Sequence, residues 1–306
     1  MTQRPPEISQ GIGPKAFLTA LLLSAMWGGN MVGIKVSLEA VPPIWGAFWR
    51  MVLGLPLLWL WARALNVELR PKAGELRFLL ILACLFSTQV MVLNWSIDMT
   101  SAAYASVLVN AAPLFTNLIA HFAVPDDKIT RNRMLGLLLA FGGVACVLAG
   151  RPDTRLATAR VLGNILAVVT ASMIGVRMVY TQRLVQRLDP VRTIFWQVVF
   201  SSLIFLAVAS STEPLLTAPM TLPVWVSMAY CGFGVVGVAF ILWVRLLQKH
   251  PPGMLSVFVF PTPLFGVLFS ALIFEERLGP ALLVGMLGVA FGILIVTWEK
   301  RKRATR

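Results

Sequence analysis

An internal repeat constrains this chain more than any other feature of its sequence. The stretch Ser101–Leu118, SAAYASVLVNAAPLFTNL, returns 150 positions later as Pro251–Leu268, PPGMLSVFVFPTPLFGVL. Both copies carry the tripeptide P-L-F and then pass through a short charged turn into a glycine-bearing apolar segment. Met26–Trp49 and Met173–Trp196 also match, at an offset of 147. Because self-similarity at a fixed offset indicates a duplicated structural unit, we predict two related halves.

The repeat lies within a chain that is too apolar for a soluble domain. Hydrophobic residues make up 58% and charged residues 13%, whereas soluble domains carry roughly 25% charged residues. A membrane-spanning helix needs about 20 apolar residues. Ten stretches qualify: 17–38, 43–63, 76–98, 102–124, 132–150, 160–183, 191–211, 223–247, 252–274 and 279–298. The sequence therefore predicts an all-α membrane protein with ten transmembrane helices.

The distribution of basic residues predicts how the helices are oriented. The net charge is +13, but the basic residues cluster in short loops between apolar stretches, which argues against nucleic-acid binding. With the N-terminus in the cytoplasm, the inner segments hold 19 Lys and Arg residues and the outer loops hold 4. This bias follows the positive-inside rule and places both tails, 1–14 and 301–306, in the cytoplasm. The loop after the fifth span, with Arg151, Arg155 and Arg160, breaks the pattern.

The two halves, 15–150 and 159–300, each contain five predicted helices. Five is an odd number, so the second half must enter the membrane in the opposite orientation. The sequence therefore predicts two five-helix inverted-topology repeats around a central cavity, an architecture typical of transporters that work by alternating access.

Several motifs give the chain a resemblance to a known family. They are Trp27-Gly28-Gly29-Asn30 in the first span, Phe48-Trp49-Arg50 in the second, and the repeated P-L-F helix, charged turn and G-x6-G helix. With ten helices in two inverted halves, the chain resembles EamA-type exporters of the drug/metabolite transporter superfamily, and it is similar to bacterial aromatic amino-acid exporters of the YddG type. The doubled acidic residue in each charged turn is a minor departure. The resemblance implies a multi-pass exporter that is embedded in the lipid bilayer of the bacterial inner membrane and transports small molecules.

Embedded polar residues indicate where a substrate would bind. A charge at the bilayer centre costs about 2.5–3.5 kcal/mol on insertion scales, so Arg177 in the sixth span is the main candidate. The repeat pairs it with Asn30, and together they suit a substrate carboxylate. The alternative is that Arg177 extends toward the cytoplasmic side or braces a packed helix. Further polar candidates are Gln89, Tyr104 and Asn110. Lys35 and Arg50 lie closer to the predicted outer surface, where a structural role is favoured.

Aromatic residues and prolines complete the predicted site. Trp27, Tyr180, Phe240 and Trp243 lie on spans expected to flank the cavity. Aromatic walls with a few polar groups suit a ring-bearing small molecule, although helix packing also explains any one of these residues. The mid-span prolines Pro113, Pro261 and Pro263 predict bent helices that act as hinges.

These features lead us to expect an exporter of aromatic or hydrophobic amino acids and related metabolites, with a monomer as the working expectation. A sugar-phosphate or nucleotide-sugar exchanger needs several deep basic residues and ranks lower; an organic-cation exporter is a further alternative.

The motifs H-E-x-x-H and G-x-S-x-G are absent, and His121 and His250 are the two histidines, so an intramembrane enzyme, a metal site or a cofactor is not supported. A membrane scaffold predicts no converging polar residues. Since all 13 acidic residues lie in tails, loops or span edges, a facilitator or exchanger is favoured over a proton-driven antiporter.

Overall fold

The computed structural model describes residues 14–72, 74–123, 131–149, 157–185, 187–249, 261–275 and 278–304. Within these ranges all regular structure is helical. The helices are α1 (Pro14–Ser37), α2 (Pro43–Ala64), α3 (Leu76–Met99), α4 (Ala102–Val109), α5 (Ala112–Ala123), α6 (Arg131–Ala149), α7 (Ala157–Val185), α8 (Pro190–Thr212), α9 (Leu222–Ala229), a π-helical segment (Tyr230–Ala239), α10 (Phe240–Lys249), α11 (Thr262–Phe274) and α12 (Pro280–Ala304).

Seven helical stretches of the described chain are long and apolar enough to cross a membrane. They are Pro14–Ser37, Pro43–Ala64, Leu76–Met99, Ala102–Ile119, Ala159–Val185, Pro190–Thr212 and Leu222–Trp243. Three shorter apolar helices are Met134–Val147, Thr262–Phe274 and Pro280–Gly292. The all-helical character predicted from the sequence is confirmed for the described residues. The count of ten spans stays a prediction, because residues 252–260 of the ninth span, like His250, Arg151 and Arg155, lie outside them.

The predicted hinge prolines lie at helix starts. The fourth span is divided where α4 ends at Val109 and α5 begins at Ala112, directly before Pro113. Pro261 precedes the first residue of α11, and Pro263 lies in its first turn. Proline has no backbone N–H to donate and is best accommodated in a first turn, where that N–H has no helical partner. These positions fit a bend at each proline; their action as hinges stays a prediction.

The eighth span is not the single α-helix expected over 223–247. Its middle third, Tyr230–Ala239, is π-helical. Glycines in this segment allow close packing against α2: a Cβ atom on Gly232 would lie 2.5 Å from Leu53 Cβ, and one on Gly237 would lie 2.6 Å from Leu57 Cδ1. π-Helical turns occur frequently at functional sites, so the helices that contact this segment are candidates for the functional site.

At one end of the bundle, a distant glutamate caps α2. The helix begins after Pro42 and has no capping side chain of its own. Glu213, which follows α8, accepts hydrogen bonds from the backbone N–H groups of Ile44 at 2.9 Å and Trp45 at 3.1 Å. Thr217 N also donates to Ala40 O at 2.9 Å. The segment after α8 therefore lies against the start of α2.

At the opposite end, the segment before α3 lies against the start of α8. Asp189 caps α8 by accepting from Val191 N and Arg192 N at 2.9 and 3.0 Å. The Arg192 guanidinium forms a buried ion pair with Glu75 at 3.0 Å and donates to Glu68 O at 3.1 Å. The two ends are thus built alike. At one end the segment after α8 contacts the start of α2, and at the other end the segment after α2 contacts the start of α8.

We expect Glu213→Ala to lower the free energy of unfolding by about 1 kcal/mol, the usual cost of losing a helix cap. Ile44 and Trp45 would lose their side-chain acceptor. Thermal unfolding of the detergent-solubilised protein measures the change. Glu39→Ala is the matched control, since Glu39 is exposed near the same end. Equal unfolding temperatures for the two variants would contradict the capping role.

Candidate functional site

Arg177 lies deep in the helix bundle, against the middle of α3. Its Nε atom donates to Gln89 Oε1 at 3.1 Å, and its guanidinium lies 5.4 Å from the centre of the Phe86 ring. Both partners lie near the midpoint of the 24-residue α3. Arg177 itself is eight residues, about 12 Å along the helix axis, from the last residue of α7, Val185. The guanidinium therefore lies in the interior rather than at the nearer helix end.

The contacts of Arg177 leave part of its hydrogen-bonding capacity unused. Gln89 is only 4% exposed, and its carbonyl oxygen fixes the Nε side of the guanidinium. In the described part of the chain, neither terminal nitrogen of Arg177 has a hydrogen-bond partner, and no carboxylate pairs with it. A guanidinium presents five N–H donors in a planar fork. Its free edge suits a carboxylate, which binds such a fork through two parallel hydrogen bonds.

Asn30 lies on α1, whereas Arg177 lies on α7 and contacts α3. Asn30 is half-buried next to Gly28 and Gly29, which bring α1 close to α11 and to the π-helical segment. A Cβ atom on Gly28 would lie 2.7 Å from Gly266 N. Among the described residues, no hydrogen bond joins Asn30 to Arg177. The predicted approach of these two residues across the repeat axis stays a prediction.

Tyr230 is a candidate that the sequence analysis missed. It opens the π-helical segment, and its hydroxyl donates to Met26 O of α1 at 2.7 Å. A Cβ atom on Gly29 would lie 2.7 Å from this hydroxyl, so Tyr230 contacts the residue that precedes Asn30. The signal was present, because the chain has only 3 tyrosines, and the other two, Tyr104 and Tyr180, were predicted site residues.

The predicted aromatic residues take part in helix packing. Trp27 of α1 and Trp243 of α10 meet edge to face, with ring centres 5.1 Å apart. The Tyr180 hydroxyl donates to Phe78 O at 3.1 Å and joins α7 to the start of α3. Phe240 packs against the apolar cluster around α2 and α8. The structure therefore brings Trp27 and Trp243 together and places Tyr180 and Phe240 elsewhere.

The fourth-span candidates lie beside the helix break. Tyr104 is half-buried and packs against the largest apolar cluster. The Asn110 amide nitrogen donates to Ser106 O, four residues earlier, at 2.7 Å. Asn110 is the residue after α4, so this bond closes the end of that helix. Its side-chain oxygen makes no hydrogen bond within the described chain, which leaves an acceptor at the break.

Arg50 and Lys35 are held by oxygens of the protein itself. Arg50 is 4% exposed and donates to Gly46 O at 3.0 Å and to Asn94 Oδ1 at 2.8 Å. Lys35 Nζ donates to Ile97 O at 2.7 Å and Asp98 O at 2.9 Å. These bonds join α2 and α1 to α3, in agreement with the structural role favoured for both residues.

Comparison with known proteins identifies the family. The EamA-like transporter family matches the chain twice, over residues 14–149 and 161–298. The chain belongs to the EamA-like transporter family. The resemblance found in the sequence motifs is thereby confirmed.

Relatives of this EamA-family protein span nearly its whole length. The uncharacterized transporter YoaV of Bacillus subtilis is 21% identical over 94% of this chain and 99% of its own. A probable amino-acid metabolite efflux pump of Escherichia coli is 24% identical over 92% of this chain and 95% of its own. One crystal structure matches with a TM-score of 0.66 at 18% identity, covering 94% of this chain and 96% of the other. At this identity the structural match establishes the fold alone.

In the parts of the chain that the structure describes, no group of three or more His, Cys, Asp or Glu side chains is arranged to hold a metal ion.

Proposed function

We propose that this protein exports aromatic and other hydrophobic amino acids across the bacterial inner membrane by alternating access. The observation that carries the proposal is the Arg177 guanidinium, held mid-helix between Gln89 and Phe86 with its outer edge free. A carboxylate would bind that edge, and the adjacent Phe86 ring would face the apolar part of the same substrate.

Glycine contacts support an inverted arrangement of the two halves. A Cβ atom on Gly28 would lie 2.8 Å from Phe265 Cβ, and one on Gly175 would lie 2.9 Å from Phe115 Cβ. Gly28 and Gly175 are repeat equivalents, and so are Phe265 and Phe115. The same contact thus occurs twice, each time between the first span of one half and the fourth span of the other. A pseudo-two-fold axis in the membrane plane accounts for this pattern.

The crossing of α6 and α12 gives independent support. A Cβ atom on Gly143 would lie 2.6 Å from Gly285 O, and one on Gly292 would lie 2.5 Å from Gly136 O. The repeat exchanges Gly136 with Gly285 and Gly143 with Gly292. It therefore converts each of these two contacts into the other, as expected if the axis passes between the two helices. Ten spans with both termini in the cytoplasm agree with this arrangement and with the distribution of basic residues.

The charge of the site favours an amino acid over a phosphate ester. A sugar phosphate or nucleotide sugar requires several free cations, whereas the second deep cation, Arg50, already donates to Gly46 and Asn94. Two relatives, from Escherichia coli and Salmonella typhimurium, are named probable amino-acid metabolite efflux pumps, at 24% and 25% identity. An amino acid with an apolar side chain is the substrate class that best fits one free guanidinium and aromatic neighbours.

Counterflow into proteoliposomes tests the proposal. Vesicles that contain the purified protein and a high internal concentration of unlabelled phenylalanine should accumulate labelled external phenylalanine transiently. Leucine and tryptophan should compete, whereas glucose 6-phosphate and tetraphenylphosphonium should not. Counterflow of the sugar phosphate or the organic cation alone would favour the corresponding alternative transporter. Absence of counterflow with every compound of the panel, from protein that remains monodisperse, would overturn the proposal.

A further inference from the structure

A pocket of about 370 Å³ opens at the end of the bundle where α1 and α3 finish and α7 begins. Its lining consists of Lys35, Asp98, Met99, Thr100, Ser101, Ala159 and Arg160. It lies away from Arg177, which contacts the middle of α3. Its volume is within the range of small-molecule sites, roughly 300–1,000 Å³. With the orientation proposed above, this end of the bundle is the outer one.

Hydrogen bonds between α3 and α7 fix the walls of the pocket. Thr100 Oγ1 donates to Asn164 Oδ1 at 2.6 Å, and Ser96 Oγ donates to Gly163 O at 2.8 Å. The helices meet closely here, since a Cβ atom on Gly163 would lie 2.9 Å from Thr100 N. Lys35 Nζ is held at the mouth by Ile97 O and Asp98 O. The pocket is therefore bounded by a braced junction of three helices.

The charges of the pocket match the two ends of an amino acid. Lys35 and Arg160 contribute cations, and Asp98 contributes an exposed carboxylate. In the described structure, Arg160 is half-buried and has neither an ion pair nor a side-chain hydrogen bond. Asp98 engages Lys35 through its backbone oxygen, so that bond does not use its carboxylate.

The sequence gives a second reason to regard the positive charge of Arg160 at this pocket as functional. The predicted outer loops carry 4 basic residues, and 3 of them, including Arg160, belong to the connection after the fifth span. Arginine on the outer side opposes the positive-inside bias that orients the chain. A role in attracting an anionic group explains why Arg160 is placed there, next to the pocket.

We propose that this pocket is an outer binding station for the transported amino acid, separate from the deep site at Arg177. Arg160 binds the carboxylate of the amino acid, and Asp98 binds its ammonium group. Lys35 stays bonded to α3 and adds positive charge at the mouth of the pocket. The station receives the substrate after its release from the deep site and captures external substrate during exchange. The inference rests on the proposed function for the identity of the ligand, whereas the pocket and its charges stand on the structure.

Protection of an introduced cysteine tests the station directly. In the full-length protein reconstituted in vesicles, Ala159→Cys places a thiol in the pocket lining, and a membrane-impermeant maleimide added outside labels it. The parent protein without this substitution reports background labelling of Cys84, Cys146 and Cys231. Phenylalanine at about one to four times its Kd should slow labelling roughly 2- to 5-fold, because only the unoccupied fraction of the protein is labelled. Phenylacetate and phenethylamine, which each carry one of the two charges, should protect less.

Variants separate the station from the deep site. Arg160→Gln and Asp98→Asn should each weaken the protection by phenylalanine at a fixed concentration, whereas Arg177→Ala should retain it. Arg160→Gln should also raise the KM for external phenylalanine roughly 2- to 5-fold and leave the KM for internal phenylalanine unchanged. Absent protection by phenylalanine, equal protection in the Asp98→Asn or Arg160→Gln variants, or equal KM shifts on both sides would overturn the station. Protection without counterflow would contradict the proposed transport function and not the pocket.

Discussion

Arg177→Ala is expected to reduce phenylalanine counterflow roughly 10- to 100-fold while leaving the yield of folded protein unchanged. A hydrogen bond to a charged group contributes about 1.5–3 kcal/mol, and each 1.4 kcal/mol corresponds to a tenfold change. The alanine removes both terminal nitrogens that we assign to the substrate carboxylate. Initial rates of counterflow in proteoliposomes, normalised to the reconstituted protein, measure the effect.

Two further variants test the geometry of the same contact. Arg177→Lys keeps the positive charge but replaces the planar fork with a single ammonium, so transport should be intermediate. Gln89→Glu is isosteric and would place a carboxylate where an amide oxygen now lies 3.1 Å from Arg177 Nε. Its charge would neutralise the guanidinium, so we expect transport close to that of the alanine variant. Neither result is expected if Arg177 only packs against α3.

Arg183→Ala is the matched control, because Arg183 is an exposed arginine of the same helix. Its transport should be within twofold of that of the parent protein, in line with the small contribution of most exposed charges. Undiminished phenylalanine counterflow by Arg177→Ala would remove Arg177 from the substrate site. A parallel loss in both variants would instead indicate that α7 tolerates no change of charge.

The helices were predictable because membrane spans depend on one simple property, an apolar stretch of sufficient length. The predicted span 43–63 corresponds to α2, Pro43–Ala64, and the span 191–211 to α8, Pro190–Thr212. Pro113 predicted a bend in the fourth span, because proline has no N–H for the helical hydrogen bonds, and α5 begins directly before it. Both signals are local, so they can be found in the sequence without knowledge of tertiary contacts.

Features that depend on long-range contacts were not predictable. The π-helical segment preserves an apolar pattern, and its extra width is accommodated by α2 packing onto Gly232 and Gly237. The cap of α2 comes from Glu213, 169 positions from Ile44. Arg177 was singled out by its depth, but its partners Gln89 and Phe86 lie on α3, and no local pattern links them to it.

The repeat identifies the glycines at the crossing of α6 and α12, but only the structure shows which of them contact the opposite helix. Gly142 and Gly143 are adjacent in the sequence and look equivalent there. In the structure, a Cβ atom on Gly142 would meet nothing within 4 Å, whereas one on Gly143 would lie 2.6 Å from both Gly285 O and Val289 N. Gly142 is exposed, and Gly143 is buried against α12. The two neighbours therefore form a matched pair for substitution.

Gly143→Leu is expected to prevent recovery of the folded protein, whereas Gly142→Leu should fold with an equal or higher unfolding temperature. Ordinary overpacking costs about 1–3 kcal/mol because side chains can shift. The atoms that a leucine at position 143 would meet belong to the backbone of α12, and they cannot move unless the helices separate. A leucine at position 142 would face lipid, where insertion scales favour it by about 0.3–0.6 kcal/mol, and it would remove the helix penalty of glycine.

Size-exclusion profiles and thermal unfolding in detergent distinguish the two variants. The repeat adds a further requirement, because Gly292 is the equivalent of Gly143 in the other half. A Cβ atom on Gly292 would lie 2.5 Å from Gly136 O and closer still to Ala140 Cβ, so Gly292→Leu should be as damaging as Gly143→Leu. A well-folded Gly143→Leu protein would contradict this helix crossing, and damage confined to one of the two equivalent glycines would contradict the two-fold relation between the halves. Helices α6 and α12 cross closely because both halves carry a glycine at the equivalent position of the repeat. A larger side chain at either glycine would force the two helices apart.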